Sequence, residues 1–124
     1  MLKILVAEDD HNLAHYYEML LSQWNCETAV EHTGTDAIHR AATFQPDVAL
    51  LGVVIPEMGG VEAAIKLVEM CPGTKIVLGA ESVPPETLEQ LAALGYHFPM
   101  LPAPFTREEL HAVVFGNAEG EVLM

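Results

Sequence analysis

Short, nearly uninterrupted apolar runs alternate along the chain with stretches whose apolar residues recur every three or four positions. Residues 2–7, 48–51 and 76–78 are the runs; a strand covered on both faces has no polar side to show and reads in this way. Residues 28–30 and 97–101 are weaker runs, and the second holds Pro99, which cannot donate to a ladder and so belongs on an edge. Between the runs, Leu13, Tyr17, Leu20, Leu21 and Trp24 form one helical stripe, opposite a polar stripe of His11, His15, Glu18 and Ser22. Thr33 with Asp36 reads as a capping box before Ala37, Ile38, Ala41 and Ala42. Val61, Ala64, Ile65 and Val68 mark a third helix, and Leu88, Leu91 and Ala92 a fourth. Thr106 with Glu109 forms another capping box, ahead of Leu110, Val113 and Val114.

Five β–α units in succession predict an α/β fold: a three-layer (βα)5 arrangement in which right-handed crossovers put helices on both faces of a parallel sheet. The first, third and fourth runs are the most apolar and belong at the centre, so the second and fifth become edges and the order is 2-1-3-4-5. In such open sheets the site lies beyond the carboxyl ends of the strands flanking the switch point. That directs attention to Glu8, Asp9 and Asp10 and to the segment beginning at Gly52.

Composition narrows the function. The 124 residues suit one domain, with 51% apolar and 19% charged residues to build a core. Eighteen acidic residues face five basic ones, a formal charge of −13. This argues against nucleic acid or a membrane surface as the main partner, since both need clustered cations. Cys26 and Cys71 lie far apart without a CxxC pattern, so a disulfide framework or zinc knuckle is not expected and a reducing compartment is. The apolar start is too short for a signal-peptide core, and no segment approaches the ~20 apolar residues of a membrane span. The expectation is a cytoplasmic protein.

Two adjacent carboxylates, Glu8 and Asp9, end the first run and are a hard-cation signal; equally, Asp9 or Asp10 can cap the helix that follows. The third run leads into Gly52 and the fourth into Gly79 and Ala80, neither supplying a nucleophile, so an enzyme is not expected. His11 and His15 have metal-like spacing but share a polar stripe with Glu18 and Ser22, and a solvated face is the preferred reading.

Residues 3–10, 46–51, 55–60 and 103–105 (KILVAEDD, PDVALL, IPEMGG and APF) together resemble the receiver domain of two-component response regulators. The resemblance spans residues 1–115 as a receiver-like domain and leaves 116–124 as a C-terminal tail. It implies a flavodoxin-like fold and a phosphorylation switch. In that switch an acidic pair and an Asp ending the third strand bind Mg²⁺, and the Asp takes phosphate from a histidine kinase. A hydroxyl after the fourth strand and a lysine after the fifth hold the phosphoryl group.

Carried across, the acidic pair is Glu8 and Asp9. The phosphoacceptor position is Gly52, the hydroxyl position Gly79, the lysine position Ala103 and the aromatic switch position Met100. Glycine has no oxygen to attack phosphorus. The cation loses a ligand as well, so no cofactor beyond weak Mg²⁺ is expected. Two carboxylates ~5 Å apart repel by roughly 3 kcal/mol at an effective dielectric of 20, so one of the acidic pair should titrate high. The expected function is a signalling module of a phosphorelay that does not accept phosphate and acts through protein–protein contact; a relocated acceptor at Asp10 or Glu57 is disfavoured.

The alternative function is a small-ligand or metal-cation sensor using the vacated acidic pocket, which is either a cavity lined by Glu8 and Asp9 or space filled by Met58 and Met100. The family's usual partner surface is its fourth helix, fifth strand and fifth helix. There Pro84, Pro85, Pro99, Met100 and Pro102 suit a signalling partner or a homodimer, or equally ordinary edge protection. The resemblance also suggests a cis bond between Ala103 and Pro104.

Overall fold

Among the described residues ten elements alternate strictly: β1 (Lys3–Ala7), α1 (His11–Gln23), β2 (Glu27–Glu31), α2 (Gly34–Phe44), β3 (Val48–Gly52), α3 (Gly60–Met70), β4 (Lys75–Ala80), α4 (Pro85–Ala93), β5 (Met100–Pro102) and α5 (Arg107–Phe115). The computed structural model describes residues 1–80 and 83–116; the expected tail beyond Gly116 lies outside the described residues. All strand pairs are parallel and the order is β2-β1-β3-β4-β5. The ranking of the runs by apolarity thus gives the right centre. Strands walled by helices on both faces must be apolar throughout, whereas an edge strand need not be.

The strands deal their side chains alternately to two cores. Ile4, Val6, Val48, Leu50, Val77 and Leu101 meet Tyr17, Leu20 and Leu21 of α1 and Leu110 and Val114 of α5. Leu5, Ala7, Ala49, Leu51, Ile76 and Leu78 point the other way, onto α2, α3 and Leu91 of α4. Cys26 belongs to the first core and Cys71 to the second, so the sheet separates two free thiols.

The fifth strand departs from its expected position at 97–101. The ladder begins only after Pro99, whose carbonyl accepts from Leu78 N at 3.0 Å. Tyr96 and Phe98 instead turn inward, stacking at 5.5 Å and packing on the core, while His97 is exposed. The inner face of α3 is also rotated from the expected one. Ala63, Ala64 and Leu67 are buried while Val61, Ile65 and Val68 flank them, because small residues at the centre let the helix lie close to the sheet. Leu88 of α4 stays 45% exposed.

Thr106 and Glu109 form both arms of a capping box on α5, at 3.0 and 2.7 Å. Thr33 caps α2 through Asp36 N at 3.0 Å, a one-way cap rather than the expected box, since an aspartate is a methylene shorter than the glutamate such boxes favour. Thr106→Ala is expected to cost about 1 kcal/mol of stability, read from the urea midpoint.

Candidate functional site

Continuing the alternation past the strand ends puts Glu8, Gly52, Gly79 and Ala103 on the α1/α5 side of the carboxyl edge. Gly52 and Gly79 are register partners, so two neighbouring strands end side by side without side chains. The result is an open concavity of about 340 Å³, walled by Glu8, Gly52, Gly79 and Ala103 with Val53, Val54 and Ala80. Of the two alternatives, a cavity or space filled by Met58 and Met100, the structure has the cavity: both methionines pack against the core on the opposite side of the sheet. Glu57 and Met58 have φ of 63° and 138°, and this turn carries the loop towards the start of α2. There Gly34 N donates to Pro56 O at 3.0 Å and the Thr35 hydroxyl to Glu57 O at 2.7 Å.

The acidic triplet divides its work. Asp10, rather than Asp9, is the N-cap of α1, accepting from Asn12 N at 2.9 Å and Leu13 N at 3.2 Å. Asp9 is exposed and does not line the concavity, so the expected two-carboxylate wall is a wall of Glu8 alone. Glu8 N extends the sheet ladder to Glu31 O at 3.0 Å, its carbonyl accepts from His32 Nδ1 at 2.8 Å, and its Oε2 accepts from Asp10 N at 3.1 Å. His11 stacks on His32 at 3.9 Å and His15 is exposed, so the two do not act as a ligand pair.

Burial holds the Glu8 carboxyl above the usual carboxylate range; the Asp10 N–H opposes the shift, and contact and charge from Asp9 add to it. Burial is thus the first cause, ahead of the mutual repulsion that the sequence suggests. A carboxyl whose folded pKa lies above its unfolded one binds more protons when folded, so its contribution falls as pH rises through the window between them. Glu8→Gln is therefore expected to raise the thermal midpoint at pH 7, and the gain should vanish at acidic pH where both states hold the proton.

Tyr17 escaped sequence reading, which gave it only helix packing. It is 5% exposed, stacks on Phe105 at 5.0 Å, and its hydroxyl stands 3.5 Å from where a Cβ on Gly79 would lie. Burial and then the Glu8 charge push its phenol well above the ordinary tyrosine range. A buried tyrosine needs a polar destination for its oxygen, and a hydroxyl-bearing residue within an otherwise apolar stripe is the available signal.

The site does not fit a hard dication. Gly52 offers no side-chain oxygen, Glu8 is the single carboxyl on the wall, and among the described residues no group of three or more His, Cys, Asp or Glu is placed to hold a metal. Of the expected partner surface, Pro99 and Met100 line a groove of about 450 Å³ with Leu88, Leu91, Tyr96 and Phe98. Pro84 and Pro85 start α4 and Pro102 lies exposed on β5, all outside that groove. The Ala103–Pro104 bond is cis. Among the described residues no helix is long and apolar enough to cross a membrane.

The family model for the response regulator receiver domain matches residues 4–115. Response regulator ArlR of Staphylococcus aureus is 30% identical over 113 residues, covering 90% of this chain and 50% of ArlR, so the chain spans about half the length of that relative. The solved chemotaxis protein CheY4 of Vibrio cholerae is 24% identical with a TM-score of 0.81, over 92% of this chain and 96% of that one. The receiver domain of the sensor histidine kinase PA1611 of Pseudomonas aeruginosa, solved with magnesium in its active-site cleft, is 19% identical with a TM-score of 0.78, over 91% and 93% of the two chains.

Proposed function

The chain belongs to the response regulator receiver domain family, and on that premise we propose that it is a receiver which signals by protein contact without accepting phosphate. Gly52 carries this reading. It ends β3 facing the concavity, at the position where the family keeps its acceptor aspartate, and it has no atom that can form an acyl phosphate. Gly79 and Ala103 supply neither hydroxyl nor cation to hold a phosphoryl group, and Met100 replaces the aromatic switch.

Mg²⁺, seen in the PA1611 receiver, finds at most a weak site at Glu8. The function is signalling rather than enzymatic, in the cytoplasm. The partner is a signalling protein or a second copy meeting α4, β5 and α5, where Pro99, Met100 and the half-exposed Leu88 offer apolar surface. Nucleic acid and membrane are poor partners for a chain of charge −13.

The ¹H–¹⁵N correlation spectrum tests this. Adding Mg²⁺ with acetyl phosphate is expected to leave the amides of Gly52, Gly79, Ala103 and the α4–β5–α5 face in place. Movement of that whole set would overturn the reading.

A further inference from the structure

We propose that the concavity at Glu8 receives a lysine side chain from a partner protein. The inference rests on the reading that this domain works by protein contact, and it names the chemistry of one such contact.

Among the described residues no Lys or Arg pairs with the Glu8 carboxylate. Of the five Lys and Arg residues, Arg40 pairs with Glu31 at 2.7 Å, and Lys3 donates to Phe44 O at 3.2 Å. Arg107 lies over the Trp24 ring at 5.5 Å, Lys75 opens β4 at the far end of the strand from Gly79, and Lys66 is exposed on α3. On the same side of the sheet the hydroxyl of Tyr17 stands 3.5 Å from where a Cβ on Gly79 would lie. The Glu8 carboxylate is thus the one charged group on a cavity whose other walls are Gly52, Val53, Val54, Gly79, Ala80 and Ala103.

The cavity's 340 Å³ greatly exceeds the about 30 Å³ that one water occupies. Apolar walls closed by oxygens match an amphipathic occupant: a lysine lays its methylene stem along apolar surface and carries three donors at its tip. A carboxylate or phosphate would meet Glu8 with like charge, and a neutral apolar group would leave the Glu8 charge without a counter-ion. The net charge of −13 draws a basic partner surface to the same edge.

The probes are n-butylammonium, which reproduces the lysine side chain, and n-butanol, its neutral counterpart, each titrated into the ¹⁵N-labelled domain. Butylammonium is expected to move the amides of Gly52, Val53, Gly79, Ala80 and Ala103, and to bind more tightly than butanol by about fivefold. Half-saturation should lie above about 1 mM, since the rest of a partner's surface would supply the remaining affinity. Glu8→Gln should erase the preference for the ammonium. Ala103→Lys should erase the shifts by filling the cavity from within, and should raise the thermal midpoint.

Shifts scattered over surface carboxylates, or equal responses to the two probes, would overturn the proposal. Sub-millimolar binding of the free amine would overturn the assignment to a partner's side chain and favour a small-molecule ligand. Phosphate uptake by the natural chain would instead defeat the reading beneath the proposal, and the titration does not depend on it.

Discussion

Gly52→Asp, Gly79→Ser and Ala103→Lys combined are expected to make this domain take up one phosphoryl group from acetyl phosphate and Mg²⁺, where the natural chain takes none. The three positions face one concavity, and the scaffold around them is intact. A Cβ on Gly52 would meet Glu8 Oε1 at 3.2 Å and Ile55 Cγ2 at 3.1 Å, so both side chains must give by a few tenths of an ångström. A new carboxylate then stands beside Glu8 and restores a paired set for a hard cation. Gly79 has ordinary clearance, its Cβ position lying 3.5 Å from the Tyr17 hydroxyl. The aspartate oxygen attacks phosphorus, acetate leaves, and the added lysine and hydroxyl hold the phosphoryl oxygens. Gly52→Asp alone should behave differently. Two carboxylates ~5 Å apart repel by roughly 3 kcal/mol at an effective dielectric of 20, so the single variant should melt lower in chelator and recover with Mg²⁺. A single variant indifferent to Mg²⁺ would mean that residue 52 does not address the site.

Gly60→Ala is expected to be strongly destabilising, at about 3 kcal/mol. Gly60 opens α3 directly under the end of β3, its N–H donating to Val53 O at 3.0 Å. A Cβ there would land on the carbonyl of Gly52, which is backbone held in the sheet and cannot swing aside. Gly59 is the internal control. Its φ of −59° suits any residue, and an added Cβ would meet Val53 O at an ordinary 3.5 Å, so Gly59→Ala should stay within about 0.5 kcal/mol of the natural chain. Urea midpoints of the pair measure the difference. Equal midpoints would show that α3 is free to move off the end of β3.

Sheet order was legible because β1, β3 and β4 are walled on both faces and can carry only apolar residues, while β2 and β5 are not. The same reasoning misplaced β5: Pro99 was seen as an edge residue, but not as the place where the ladder starts. At the site, the glycines at 52 and 79 and Ala103 are readable one at a time along the chain. Their register across β3 and β4, which turns two small residues into one cavity, is a tertiary fact. Sequence leaves open whether Met58 fills that space, since it does not reveal the positive φ at Glu57 and Met58 that carries the side chain to the other face. Tyr17 was hidden for the opposite reason. Its helical spacing is that of a core residue, and only the missing side chain at Gly79, on a strand far away in sequence, gives its oxygen somewhere to go.

Intact-mass spectrometry of the natural chain, incubated with acetyl phosphate and Mg²⁺ alongside the Gly52→Asp, Gly79→Ser, Ala103→Lys variant, decides whether the domain takes phosphate. The expected result is an unchanged mass for the natural chain and a single-phosphate adduct for the variant. A stable one-phosphate adduct on the natural chain would contradict the reading that its receiver fold has no phosphate acceptor.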